Sequence, residues 1–228
     1  MLSYKCAAIG LLALGVTACN APARYRNPPA ELGRPPAGAT IYRIDAARSS
    51  LRVLAYRAGP MAQLGHDHVI TNGAMSGWVA VGGAIASSSF SLAIPVEAFA
   101  VDDPAARRRE GAAFAAPVGS AAVEGTRRHM LGADLLDAQA YPLILVRSVA
   151  IRGTEREARA AMLVHVAGHA AQVTEALHLQ RDAEGLTATA AFDLRQSALG
   201  LAPYSIMMGA LRVRDDLRIE IRIVAVRG

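Results

Sequence analysis

The stretch Leu217-Arg218-Ile219-Glu220-Ile221-Arg222-Ile223-Val224-Ala225 decides the fold class of this chain. Its odd positions are all apolar, and three of its four even positions carry a charge. Because successive side chains of a β-strand point to opposite faces, this pattern predicts a strand with one buried face and one face in water. An amphipathic helix would instead repeat its apolar residues every three to four positions.

The same period of two recurs through the body of the chain. Phe90, Leu92, Ile94 and Val96 alternate with smaller or polar residues. Further strand candidates are residues 51–56, 143–151, 161–166, 173–179 and 186–194. Turn signals lie between them at Gly82-Gly83, Arg152-Gly153-Thr154, 182–185 and Asp215-Asp216.

Many antiparallel strands in one domain predict an all-β fold that hides its edges, and closure into a barrel does so. We therefore expect an antiparallel barrel of about eight strands, which is just wide enough to hold a small ligand. One or two short helices are expected in the central connection, within 104–110 and 125–136. A two-sheet sandwich would produce the same alternation and stays open at this point.

Composition excludes several classes of protein. The chain has 228 residues, 53% of them hydrophobic, and a net charge of only +5, so it is not a disordered protein. Two cysteines exclude a disulfide-stapled scaffold and a thiolate zinc cluster. The 24 basic residues are scattered among 19 acidic ones and form no basic face, so no nucleic-acid partner is expected.

The N-terminus has the pattern of a bacterial lipoprotein signal. A weakly basic start leads into the apolar run 6–16, which is too short to span a bilayer and has the length of a secretory h-region. The run ends in Val16-Thr17-Ala18-Cys19, small residues directly before a cysteine. This predicts a signal peptide at 1–18 and lipidation of Cys19, with an ordinary signal peptide as the alternative.

Three segments follow from this interpretation. Asn20 after the lipidated cysteine resembles the outer-membrane sorting signal, so we expect a lipoprotein on the periplasmic face of the bacterial envelope. Cys19 and the proline-rich residues up to 40 form a tether without a core, and 41–228 form the folded domain.

Several blocks of the domain resemble the YceI-like family. Tyr42-x-Ile44-Asp45 resembles its opening strand, and residues 126–131, followed by Asp137 and Tyr141-Pro142, resemble its central block. The C-terminal block is similar to Phe192-Asp193-Leu194, Ser197-x-x-Gly200-Leu201 and the closing strand with Asp216. The blocks occur in the family's order over most of the domain.

The resemblance implies a lipocalin-like periplasmic barrel whose apolar interior binds a polyisoprenoid, such as a quinone tail or a prenyl pyrophosphate. No catalytic group and no required cofactor are implied, and a homodimer stays open. The chain departs from the family pattern in two places. Residues 102–125 are longer than the resemblance predicts, and the family's lone histidine is replaced by Tyr56-Arg57, with His66 and His68 following later.

The histidines are the candidate site residues. His66 and His68 would share one face of a strand, where they could contact an anionic head group or a metal, with His129 as the best further partner. Alternatively, 65–68 form a turn whose side chains bind backbone. His165 and His169, four apart on one predicted strand, would lie too far apart for one ion. His178 is expected at the surface.

Trp78 and Tyr141 are further candidates for lining a cavity, although ordinary core positions suit them equally. No nucleophile elbow, phosphate-binding loop or zinc-protease motif occurs in the sequence, so an enzyme is not expected. Two alternatives to a lipid carrier stay open: a metal- or haem-linked redox partner using His66 and His68, and a structural envelope lipoprotein whose filled barrel binds no small ligand.

Overall fold

The computed structural model describes residues 32–228. Its first six strands are β1 (Thr40–Ile44), β2 (Ser50–Ala58), β3 (His68–Asn72), β4 (Ser76–Val81), β5 (Ser89–Pro95) and β6 (Ala100–Val101). The helices α1 (Pro104–Arg109) and α2 (Ser120–Leu131) follow. The last six strands are β7 (Leu143–Gly153), β8 (Ala158–Val166), β9 (His169–Arg181), β10 (Gly185–Arg195), β11 (Ser205–Ile206) and β12 (Leu211–Arg227).

These strands form a closed antiparallel barrel with eight strands in its wall. β1 and β2 both pair with the long β12, so they are two halves of one interrupted wall strand. The next wall strand consists of β3, which pairs with β2, and β4, which pairs with β1. The third consists of β5, which pairs with β4, and β6, which pairs with β3. β7, β8, β9, β10 and β12 complete the wall in chain order, and β12 closes it against β1. The predicted barrel is thus confirmed, and the sandwich is excluded.

The inner face carries the apolar half of each alternating pattern. On β8, for example, the even-numbered residues 158–166 are buried while Arg159 is exposed. On β12, Ile219 and Ile223 belong to the main core cluster, which also includes Met130 of α2. The cluster extends from the barrel interior to the connection that holds the helices, so α2 covers one end of the barrel. We call this the α2 end.

Two local predictions are wrong. Asp215-Asp216 is not a turn but lies within β12, where the pairing with β2 shifts register between Val213 and Leu217. There the carboxylate of Asp215 accepts hydrogen bonds from the amide and hydroxyl of Ser197. The second helix begins and ends about one turn earlier than predicted, because the chain turns at Gly132.

His165 and His169 also differ from expectation, since they do not lie on one strand. β8 ends at Val166, and the chain reverses through Ala167 and Gly168, both with positive φ. His169 then starts β9 opposite Val166.

Candidate ligand cavity

The barrel encloses a cavity of about 710 Å³. Its wall is mainly aliphatic and aromatic, with contributions from every part of the barrel; examples are Leu51, Phe90, Met162, Val173, Phe192 and Ile221. Binding pockets of 300–1,000 Å³ lined by apolar side chains are typical of small-molecule and lipid sites. The barrel is therefore not filled by its own side chains.

Polar groups gather at the α2 end of this cavity. They are His68, Thr126, His129, Asp134, Gln196, Tyr204 and Ser205. The opposite end is lined by the Gly82-Gly83 turn and by Glu155 and Arg181, which form an ion pair. The cavity is thus an apolar tube with polar groups at both ends, and the α2 end has the larger choice of hydrogen-bonding side chains.

A buried charged cluster supports His68. The carboxylate of Asp102 is completely buried and lies 2.6 Å from the Nδ1 atom of His68 and 2.6 Å from a guanidinium nitrogen of Arg107. It also accepts a 2.9 Å hydrogen bond from the amide of Val69. Burial would raise the pKa of Asp102, but the hydrogen bonds from His68, Val69 and Arg107 outweigh it and hold the pKa below its usual value.

The connection between β6 and α1 builds this cluster. Asp102 has a positive φ of 54°, and Asp103 caps α1 by accepting hydrogen bonds from the amides of Ala105 and Ala106. One turn further, Arg107 turns back to Asp102 and donates to the carbonyls of Asp67 and Ala116. The cluster therefore depends on the segment 102–125 that the sequence marks as longer than the family pattern.

His66 lies beside His68 but does not line the cavity. The two ring centroids are 5.1 Å apart, with the rings nearly perpendicular. Burial, together with the neighbouring His68, lowers the pKa of His66 below its usual value. The carboxylate of Asp67 accepts a hydrogen bond from the amide of Arg57, which holds this loop against the end of β2.

His129 lines the cavity from α2 and contacts Tyr204. Their ring centroids are 4.7 Å apart, and the tyrosine hydroxyl lies 3.5 Å from Nε2 of His129. No group of three or more His, Cys, Asp or Glu side chains within residues 32–228 is arranged to hold a metal ion. The alternative in which His66, His68 and His129 converge on one metal ion thus receives no support from these residues.

Trp78 and Tyr141 lie elsewhere. The indole nitrogen of Trp78 donates to the carbonyl of Gly33, 3.1 Å away, and it is the next residue, Val79, that lines the cavity. Tyr141 is buried against Gly168, where a Cβ atom would come within 2.6 Å of the tyrosine oxygen. Neither side chain lines the cavity, so the structure gives these two predicted ligand contacts no support.

The cavity also involves residues that the sequence patterns do not single out, namely Asp102, Arg107, Gln196 and Tyr204. A signal existed for the first two, because Asp102-Asp103-Pro104 is a helix start and an arginine three residues later faces back toward it. Nothing in the sequence pairs Asp102 with His68, 34 positions away, or Tyr204 with His129, 75 positions away. These contacts depend on tertiary structure.

Fold and cavity together define a class of protein, the antiparallel β-barrel with an internal apolar cavity. The model of the YceI-like domain family matches residues 42–225, and the chain belongs to this family. No functionally curated protein matches the chain significantly.

Two solved structures show the same fold. BcnA of Burkholderia cenocepacia is 18% identical, with a TM-score of 0.60 over 80% of this chain and 99% of its own. A polyisoprenoid binding domain from Saccharophagus degradans, implicated in plant cell wall breakdown, is 11% identical, with a TM-score of 0.54 over 83% of this chain and 99% of its own.

The predicted signal peptide at 1–18 and the lipidation site Cys19 lie outside the described residues, as does most of the predicted tether. Among residues 32–228 there is no helix long and apolar enough to cross a membrane.

Proposed function

We propose that this protein binds a polyisoprenoid or another long apolar lipid, a quinone among them, inside its barrel. The observation that carries the proposal is the apolar cavity of about 710 Å³ in a YceI-like barrel. The polyisoprenoid binding domain from Saccharophagus degradans, which shares the fold, supports the choice of ligand class.

The driving force would be the removal of hydrocarbon from water. Each buried methylene contributes roughly 0.8 kcal/mol, so a branched prenyl chain gains affinity along its length without directional contacts. The apolar wall of the cavity offers such contacts along the whole barrel. The proposed activity is thus binding rather than catalysis.

The lipid head group would lie at the α2 end. His68, held by Asp102, and the pair His129 and Tyr204 offer hydrogen-bonding groups to a hydroxyl, a phosphate or a quinone carbonyl. This assigns head-group roles to two of the predicted histidines, His68 and His129. His66 would act on the ligand only through its contact with His68.

We further propose that the protein works at the periplasmic face of the bacterial envelope, with its lipid anchor at Cys19. The residues Val16-Thr17-Ala18-Cys19 support this, and Asn20 supports an outer-membrane destination. Incorporation of radiolabelled palmitate into the full chain, but not into a Cys19→Ser variant, is the expected result. Equal labelling of both would contradict the anchor.

Native mass spectrometry of the protein exported to the periplasm tests the ligand. We expect a bound mass of several hundred daltons, on the order of a prenyl lipid, that organic extraction removes. Ala188 and Ala191 provide a matched pair of variants, because Ala188 lines the cavity whereas Ala191 is exposed on the other face of β10.

Replacing Ala188 by Phe should lower ligand occupancy at least severalfold by filling the cavity, and Ala191→Phe should leave it unchanged. A wild-type protein that carries no ligand and takes up no added geranylgeraniol would refute the proposal.

A further inference from the structure

The wall of the barrel is not paired equally on the two sides of β9. β9 pairs with β8 at nine successive positions, from His169 opposite Val166 to Leu177 opposite Ala158. With β10 it pairs at only four, from His178 opposite Thr189 to Arg181 opposite Leu186. In the described part of the chain, residues 169–177 of β9 and residues 190–195 of β10 do not pair with each other. We call this gap the β9–β10 window.

The window is bounded at both ends. At one end the paired residues 178–181 and 186–189 form the base of a hairpin. At the other end Gly200 lies against His169, so closely that a Cβ atom on Gly200 would be 2.7 Å from the imidazole Nδ1. The unpaired stretch is thus bounded at both ends and is not a frayed end of the sheet.

The rims of the window belong to the cavity wall. Val173 and Leu177 on β9, and Phe192 and Leu194 on β10, all line the cavity, yet all four are only partly buried. The inward-facing residues of the neighbouring β8 are buried from Ala158 to Val166. Leu179 and Ala188, which pair with each other beside the window, also line the cavity and are also partly buried, so the apolar lining continues from the paired hairpin into the window.

Each end of the barrel offers a less suitable path for a hydrocarbon chain. α2 and the turn after it cover one end with the buried side chains of Met130 and Leu136, and the Glu155–Arg181 ion pair lies at the other. Threading a prenyl chain lengthwise past either would disturb packed or charged groups. Parting β9 and β10 where they are unpaired would break no ladder hydrogen bonds between them, and it would let the chain pass sideways between apolar side chains into the cavity.

From this geometry we infer that the β9–β10 window is the portal through which a prenyl chain enters and leaves the cavity. The inference rests on the proposed lipid-binding function. In this inference the lipid passes between four apolar side chains, those of Val173, Leu177, Phe192 and Leu194. The polar α2 end holds the head group after the chain has entered.

Cross-linking across the window tests the portal. Thr174 and Asp193 are exposed and lie opposite each other if the register of the paired hairpin is continued. The double variant Thr174→Cys/Asp193→Cys is made in the full chain with Cys6→Ser and Cys19→Ser, so that the new pair are its only cysteines. It is linked with bismaleimidoethane, and linkage is verified by intact mass.

The matched control is His178→Cys/Thr189→Cys, which joins the same two strands where they are already paired. Transfer of NBD-labelled geranylgeraniol between phosphatidylcholine vesicles and each protein is followed by fluorescence. We expect linkage across the window to slow both uptake and release by at least about tenfold with little change in Kd, because a gate limits rates rather than affinity. Linkage in the control should change neither rate.

Two results would overturn the inference, and they differ. Unchanged transfer rates after complete linkage at 174 and 193 would show that the chain enters elsewhere, while the proposed function would stand. Failure of the unlinked protein to bind the probe at all would contradict the proposed function and the portal with it. Hydrogen exchange provides a second test, since bound lipid should slow exchange of amides in 170–177 and 190–195 more than in 178–189.

Discussion

Asp102 and Glu175 are two carboxyl groups withdrawn from water to different extents, and their pKa values move in opposite directions. Asp102 is fully buried beneath α1 with three hydrogen-bond donors around it, and its pKa is lowered. Glu175 lies on β9 between the cavity-lining Val173 and Leu177, and desolvation raises its pKa, offset in part by Arg159. Among residues 32–228 its carboxylate has no hydrogen bond or ion pair.

The difference shows that the hydrogen-bond and charge partners of a buried carboxyl group, rather than its depth, decide whether its pKa rises or falls. The more deeply buried carboxylate is the more readily ionised one because the fold surrounds it with donors. The less buried carboxylate, that of Glu175, lies between apolar side chains and has no such donors among the described residues. The carboxylate of Asp102 links β3 to α1, whereas Glu175 lies on the part of β9 that does not pair with β10.

Replacing Asp102 by Ala should lower the stability of the protein more than any other single change at these sites. It would leave Arg107 buried without its carboxylate, and breaking a buried ion pair in this way costs about 3–5 kcal/mol. The free energy of unfolding from urea titration measures the loss. The neighbouring Asp103→Ala removes only the cap of α1 and should cost about 1 kcal/mol. Equal losses for the two variants would mean that the cluster is not a buried ion pair.

Gly200→Ala tests the boundary of the window. Gly200 has a φ of 78°, and an added Cβ would also displace the ring of His169. Gly209 is the matched control, since its φ is 89° but the atoms nearest to a Cβ there lie 3.9 Å away or further. Backbone strain of about 1–2 kcal/mol is expected in both variants, with a greater loss at Gly200. Identical losses would show that the contact with His169 does not constrain the window.

Low pH should lower the free energy of unfolding through protonation of Asp102. The pKa of Asp102 is lower in the folded protein than in the unfolded chain, where it is near 3.8. The ionised carboxylate therefore contributes its full stabilisation above pH 3.8, and this contribution is lost as the pH falls through the pKa of the folded state. The wild-type free energy of unfolding should therefore decline below about pH 4, and Asp102→Asn should remove part of that decline. Parallel curves for the two proteins would contradict the lowered pKa.

Glu175→Gln should have the smallest effect and the opposite sign. The raised pKa means that the ionised form is disfavoured in the folded state, so stability is lost as pH rises through the folded pKa. Removing the charge should stabilise the protein at pH 7 by at most about 0.5 kcal/mol, with no difference at pH 3. Glu124→Gln, at an exposed position of α2, is the control for a general charge effect. A destabilised Gln variant would indicate that Glu175 has a partner.

The sequence predicted the wall of the barrel well because alternation is a local property. The predicted strand at 217–225 lies within β12, and the one at 186–194 lies within β10. Alternation does not reveal how strands pair, however. β9 has the same regular pattern on both sides of Leu177, and nothing in it marks where pairing with β10 stops.

The candidate site was predicted only in part, for the same reason. The sequence could single out His68 and His129 as polar residues able to meet a ligand, and both line the cavity. Their partners Asp102 and Tyr204 come from connections whose course depends on α1, α2 and the chain after β10. Trp78 was selected for its residue type, but the face of the strand on which it lies was set by pairing with β1 and β5.

The β9–β10 window also gives this barrel something that closure normally removes, which is a pair of free sheet edges. An unpaired edge is a template on which a second chain can add a strand, the first step of intermolecular aggregation. An inward-facing charge is one device by which proteins discourage such pairing, and Glu175 lies within the unpaired part of β9. The same acid that slightly weakens the single molecule would thus keep crowded copies of it from joining edge to edge.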